Sequence, residues 1–437
     1  MTRVAFLLLL LAGCAGPATT TAPRRPNIVL LVSDDQGYAE MSCQGGDLPT
    51  PHLDALAASG IRYRSGYVVS PYCSPSRAGL LTGRYPQRFG HEINPVERTN
   101  DLPHVGLPVG EKTIADHLRA GGYVTGMVGK WHLGNHPPYY PTARGFDEFF
   151  GFLREGHSYL PLDRSVNHLR AREPEYDRLN PMLRGESEVG EKEYLTSAFA
   201  REATSFIDRH AARPFFLYVP FNAPHSPMQA APEDHARFAH IADPHRRVWA
   251  AMMKALDDAV GRILDALRRR GLEKDTLVCF LSDNGGPTKE LTSRNNPYSG
   301  GKGSLREGGV RVPFILSWPG RIRPGVWDGT VSALDLLPTV LDAAGLPEPP
   351  GLDGVTLLGP RHHDRTVFWR MAGKLAIRDG RWKLLSEPAG APFALFDLLE
   401  DPAESKDLAA VHPEVVRDLE AKLRDWEKGL IPPRWTN

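Results

Sequence analysis

Cysteine is scarce in this 437-residue chain. There are four, at positions 14, 43, 73 and 279, and none stands in the Cys-x-x-Cys spacing of a zinc site. Net charge is lacking too: 52 Lys and Arg balance 52 Asp and Glu. No overall field therefore draws the chain to nucleic acid or to an anionic membrane surface, and any anionic ligand has to be attracted locally. Long hydrophobic runs are also missing. The apolar stretch from Val4 to Ala12 is too short to cross a bilayer as a permanent helix. The 42 glycines and 39 prolines point to many loops in an otherwise ordinary globular composition.

The N-terminal segment has the layout of an export signal. Arg3 precedes the apolar run, and "LAGC" ends at Cys14. We read residues 1–13 as a lipoprotein-type signal peptide and Cys14 as the lipidated first residue. Residues 14–25, rich in Pro, Thr and Ala, read as a tether. The chain beyond is expected to be exported, to the periplasm or cell surface, touching the membrane only through the lipid at Cys14. Cys43, Cys73 and Cys279 then remain. An odd number leaves at least one thiol unpaired in an oxidising compartment. Cys279, inside "TLVCFLSD", reads as a small core residue.

Four apolar runs end in polar clusters. "NIVLLVS" leads to Asp34 and Asp35, "YVTGMVG" to Lys130 and His132, "FFLYVPFNAP" to His225, and "TLVCFLS" to Asp283 and Asn284. Each run reads as a buried strand. Helical patterns lie between them: one from Thr50, read as its N-cap, to Gly60; "GEKTIADHLRAGG"; "VWAAMMKALDDAVGRILDALRRRG"; and "SALDLLPTVLDAAG", where Pro338 fits only near the first turns or at a kink. Alternating strands and helices predict an α/β fold with a large, mostly parallel central sheet flanked by helices. Ligands of such sheets bind beyond the carboxyl ends of the strands, which is where the polar clusters fall.

The residue types there indicate a chemistry. Asp34, Asp35, Asp283 and Asn284 are oxygen donors, and three crowded carboxylates repel unless a cation holds them. Hard oxygen ligands favour calcium or magnesium over zinc, and calcium comes first because an exported protein meets it at high concentration and it tolerates irregular geometry. Arg77, Lys130 and Lys302, the last in the Gly-rich "NNPYSGGKGSLREGGVRVP", suit a tetrahedral oxyanion. His132 and His225 are placed to move protons.

One stretch decides the family. "CSPSRAGLLTGR", from Cys73 to Arg84, resembles the signature of the formylglycine-dependent sulfatases of the alkaline phosphatase superfamily: Cys-x-Pro-x-Arg, then Leu-Thr-Gly. "GYVTGMVGKWHLG" resembles their second signature. "SDDQGY", "NAPHSP", "SDNGG" and "GGKGSLREGGVRVP" match further family blocks in the expected order. The resemblance implies an alkaline-phosphatase-like fold, with residues 26–360 as the sulfatase catalytic domain. Residues 361–437 would form a small C-terminal antiparallel α+β subdomain, in which "TVFWRMAGKLAIRDGRWKLL" supplies strands and "HPEVVRDLEAKLRDWEKGL" a helix.

By the same resemblance, a formylglycine-generating enzyme oxidises Cys73 to an aldehyde. The hydrated aldehyde becomes the nucleophile and, with Asp34, Asp35, Asp283 and Asn284, a ligand of the metal. Arg77 helps hold it, and Asp283 accepts its proton. Lys130 and Lys302 bind the sulfate. His225, with Lys302, protonates the leaving oxygen, and His132 takes the proton when sulfate is expelled. A further sulfate contact is left open between His157 and Ser158. The polar segment from Leu153 to Tyr194, with His157 and His168, reads equally as loops over the site or as a surface insertion. Substrates of this family in an exported setting would be sulfated glycans or small sulfate esters. Phosphate or phosphonate esters would suit the same residue set.

Overall fold

A computed structural model describes residues 25–167, 174–359 and 365–436. The expected leader, Cys14 and most of the tether lie outside the described residues, as do His168 and the expected domain boundary at 360/361. Sixteen strands are present among the described residues. The first eight are β1 (Asn27–Ser33), β2 (Ile61–Tyr67), β3 (Val124–Lys130), β4 (Glu148–Phe152), β5 (Val166–Asn167), β6 (Leu183–Arg184), β7 (Ser187–Glu188) and β8 (Phe215–Pro220). The others are β9 (Gln229–Ala230), β10 (Thr276–Ser282), β11 (Phe314–Ser317), β12 (Gly325–Ser332), β13 (Val367–Met371), β14 (Lys374–Asp379), β15 (Trp382–Ser386) and β16 (Ala394–Asp397).

Ten strands form one sheet in the order β12-β2-β11-β10-β1-β8-β3-β4-β6-β7. The four expected strands are its centre. β10, β1, β8 and β3 are neighbours and all parallel. Ser33 pairs with Ser282, so Asp34 and Asp283 leave the sheet abreast. Every residue of these four strands is buried, because helices cover both faces. Neighbours β11 and β6 run antiparallel to the strands they join.

The helices are α1 (Pro51–Ala58), α2 (Cys73–Thr82), α3 (Ile114–Ala120), α4 (Pro174–Leu179), α5 (Leu195–His210) and α6 (Pro232–Arg237). After them come α7 (Pro244–Arg269), α8 (Thr288–Leu291), α9 (Glu307–Val310), α10 (Leu336–Ala344) and α11 (Pro413–Glu427). Leu53, Phe199 and Trp249 bring α1, α5 and α7 against Val29 and Leu31 on one face. Leu81, Leu118 and Leu337 bring α2, α3 and α10 against Ile28, Leu30 and Val32 on the other. Pro338 is the third residue of α10, inside its first turn, where no intrahelical N–H is lost. Thr50 occupies the N-cap of α1, but its hydroxyl does not cap. It donates to Asp54 Oδ1 at 3.1 Å and accepts from the Ser42 amide at 2.9 Å. Those partners satisfy it, so the capping expected from sequence is not made.

Strands β13 to β16 form a small antiparallel sheet, and α11 packs Leu419, Leu423 and Trp426 against it. Among the described residues Cys43, Cys73 and Cys279 are all free, and Cys279 is buried in the core as expected.

Candidate active site

α2 starts at Cys73, whose thiol is buried and donates to Asp34 Oδ1 at 3.5 Å. Ligand atoms of Asp34, Asp35, Cys73 and His225 all lie within 4.8 Å of one another. Asp283 and Asn284 join this group from the end of β10. Asp283 Oδ1 accepts from the Asp35 amide at 3.2 Å, and Asn284 Nδ2 donates to Asp35 Oδ1 at 2.7 Å. Three cations stand against the three carboxylates. Arg77 donates to Asp283 Oδ2 from Nε at 2.9 Å and Nη2 at 2.7 Å; Lys130 Nζ reaches Asp34 Oδ2 at 2.6 Å; and Lys302 Nζ reaches Asp35 Oδ2 at 2.8 Å. His225 Nε2 is 3.5 Å from Asp35 Oδ2.

Thus Asp34, Asp35, Cys73, Arg77, Lys130, His225, Asp283, Asn284 and Lys302 form one connected cluster. His132 stands beside it, with its own backbone bonded to α2: Ser74 Oγ donates to the His132 carbonyl at 2.6 Å. Asp35 and His132 both have positive φ, 65° and 58°, a costly conformation for residues with a Cβ and one that concentrates at working sites. Asp35, His225 and Lys302 line a cavity of about 660 Å³ together with Tyr72, Ser226 and Ser304.

The Sulfatase family model matches residues 26–346. The chain belongs to the sulfatase family. It is 36% identical to N-acetylgalactosamine-6-sulfatase of Mus musculus over 402 residues, 86% of this chain and 75% of that protein. It is also 36% identical to arylsulfatase A of Homo sapiens over 443 residues, 94% and 84% of the two chains. Among solved structures, Ps i-CgsB matches with a TM-score of 0.87 and 36% identity, over 94% of this chain and 95% of that one. The same protein has been crystallised with k-i-k-neocarrahexaose. The chain is therefore a sulfuric ester hydrolase with the fold of its family.

Burial and charge set the protonation states in this sulfatase. Burial opposes ionisation of Asp34, but Lys130, His225 and Arg77 outweigh it and hold its carboxyl far below the usual range. Burial, helped by the Asp34 charge, raises Asp283 to about 6. Burial pushes the Cys73 thiol up to about 12, so it is no thiolate at neutral pH. Lys302 is raised by Asp35 against the effect of burial and stays an ammonium. Burial, then Lys302, lowers His225 to about 3. Burial and Lys130 lower His132 well below its ordinary value. Both rings are neutral at pH 7, and their tautomers follow from their partners. His132 Nε2–H donates to the Pro95 carbonyl at 3.0 Å, which leaves a buried Nδ1 lone pair without a partner among the described residues. His225 Nδ1–H donates to the Ser226 carbonyl at 2.7 Å, which turns Nε2 toward Asp35.

The residues fit a hard divalent cation. Carboxylate and amide oxygens dominate the cluster, and Asn284 Oδ1 is buried with no hydrogen-bond partner among the described residues.

Two expectations need correcting or completing. Neither His157 nor Ser158 lines the cavity of Asp35, His225 and Lys302. They line a separate one of about 570 Å³ with Asp163, Asp177 and Met182, because His157 packs on Phe152 and donates from Nδ1 to the Ser158 carbonyl. Sequence reasoning also missed the segment 91–95. His91 Nε2 lies 2.6 Å from Ser74 Oγ, Asn94 Oδ1 accepts from the Ser74 amide at 2.8 Å, and Pro95 holds His132. "HEINP" carries no motif that marks it.

Proposed function

We propose that this sulfatase desulfates sulfated glycans, with Cys73 converted to formylglycine beside a calcium ion held by Asp34, Asp35, Asp283 and Asn284. The observation that carries this is the position of Cys73. A buried thiol at about 12 is inert, yet it stands at the helix start where carboxylates, lysines and histidines converge. The names of the relatives and the neocarrahexaose complex of Ps i-CgsB support a glycan substrate. An export route with a lipid anchor at Cys14 suits such a substrate. Cys73 is only 1% exposed, so a formylglycine-generating enzyme has to act before the fold closes.

When bound, the ion supplies positive charge and the formylglycine supplies a hydroxyl nucleophile. The chain does the rest. Lys130 and Lys302 neutralise charge on the sulfate oxygens as it builds. Asp283 takes a proton at its carboxylate, and Arg77 keeps that carboxylate oriented. Lys302, an ammonium lining the cavity beside His225, delivers the proton to the departing alcohol oxygen. His132 Nδ1 is the base for the step that releases sulfate.

The test is the mass of the tryptic peptide Ser65–Arg77 from protein made in its natural host. The expected product has sulfur and two hydrogens replaced by one oxygen at residue 73. An unmodified thiol in active, exported protein would overturn the proposal.

A further inference from the structure

Lys302 lies in a loop with little rigidity of its own: residues 299–309 include five glycines. Yet its ammonium is held 2.8 Å from Asp35 Oδ2. On one side the catalytic sheet fixes this loop. The Lys302 amide donates to the Gly286 carbonyl at 3.3 Å and the Gly303 amide to the Pro71 carbonyl at 3.0 Å. On the other side the small C-terminal sheet does so. Lys374, the first residue of β14, donates from Nζ to the Gly303 carbonyl at 2.8 Å and pairs with Glu387 Oε1 at 2.6 Å. Glu387, one residue beyond β15, accepts at Oε2 from Ser304 Oγ at 2.9 Å and from the Leu305 amide at 3.2 Å. Lys374 and Glu387 come together because Leu375 pairs with Ser386 across the β14–β15 ladder. One ion pair thus grips the three residues that follow Lys302.

A second anchor lies deeper. Lys383 Nζ joins Glu307 and Glu404, at 2.9 Å each, with all three side chains fully buried. That triad is part of the packed interface between the two sheets. The Lys374–Glu387 pair is different. It is 24% and 15% exposed, and the described side-chain hydrogen bonds of both residues end on positions 303–305 or on each other. A lysine ammonium acts as a point charge, so its value to a bound oxyanion depends on where its backbone is held.

We propose that Lys374 and Glu387 are positioning residues for sulfate: the C-terminal sheet sets the place of Lys302 in the active site. The proposal rests on the reading of Lys302 as a sulfate-binding group. The test measures the Kd of inorganic sulfate by thermal-shift titration at constant ionic strength. It compares the wild-type full chain, Glu387→Gln, Lys302→Ala and the double variant, with Lys374→Met as an independent cut of the same clamp. Glu387→Gln and Lys374→Met should each weaken sulfate binding about tenfold, the loss of roughly one charge-assisted contact. The ligand-free Tm should stay within about 2 °C of the wild type. Lys302→Ala should weaken binding at least as much, and adding Glu387→Gln to it should change nothing further, because the clamp acts only through Lys302. A merely structural role would lower the ligand-free Tm and multiply with Lys302→Ala, and that result would overturn the proposal. So would wild-type sulfate affinity in Glu387→Gln. Wild-type affinity in Lys302→Ala would remove Lys302 itself from the sulfate site, and the clamp's role with it.

Discussion

At the scale of the residue, chemistry and stability depend on separate groups. Replacing Cys73 by Ala should reduce turnover by about 10⁴-fold or more while leaving the fold intact, because no other nucleophile stands in the cluster. Lys130→Ala should cost about 10²–10³ in kcat, as for a lost donor to a developing oxyanion. Steady-state kinetics on an aryl sulfate would check both. His91 gives a pH prediction. It is fully buried, and burial lowers its pKa to about 3 from 6.5. Between those values the unfolded chain binds the proton and the folded chain does not, so stability is full above 6.5 and falls as the pH drops below it. At pH 5 this one ring costs about 2 kcal/mol. Tm measured from pH 7.5 to 5 should fall, and fall less in His91→Gln. Asp34 and Lys130 are legible in sequence because each closes an apolar run, and Cys73 because it opens an ordered motif. His91 and Pro95 are not, since their roles exist only through contacts with Ser74 and His132.

At the scale of the element, the central strands are legible because continuous apolar runs ending in polar residues have few other readings. β2, "IRYRSGY", and the edge strand β12, "GVWDGTVS", are not, since they mix charged and exposed positions and depend on neighbours distant in sequence. The end of β3 shows what aims Lys130. Gly129 has φ +135°, and a Cβ there would meet the Pro220 carbonyl oxygen at 2.0 Å. Gly151, its partner on β4, approaches so closely that a Cβ would lie 1.8 Å from the Gly129 oxygen. Gly151→Ala should therefore cost more than about 3 kcal/mol, beyond the usual range of point substitutions. Gly110→Ala, where a Cβ meets nothing within 4 Å, should be close to neutral. Urea midpoints of the two variants would show the contrast.

At the scale of the whole molecule, the zero net charge conceals a concentrated arrangement: three carboxylates and three cations meet at one sheet edge. Metal removal tests it. Chelator-treated protein should lose turnover, and millimolar calcium should restore it and raise Tm by mass action. Asn284→Ala should blunt both responses, since it removes the unpartnered oxygen. By itself the sequence determined the central strands, the polar residues that gather at their ends, and the family, because these are written in short runs and ordered motifs. The tertiary structure alone decided three things: the tautomers of His132 and His225, the removal of His157 and Ser158 to another cavity, and the grip of Lys374 and Glu387 on the Lys302 loop. The physical reason is distance along the chain. Arg77 meets Asp283 across 206 positions and Lys374 meets Gly303 across 71, and no local pattern encodes such contacts; the packing of α2 on the large sheet creates the first and the packing of the small sheet against the Lys302 loop the second.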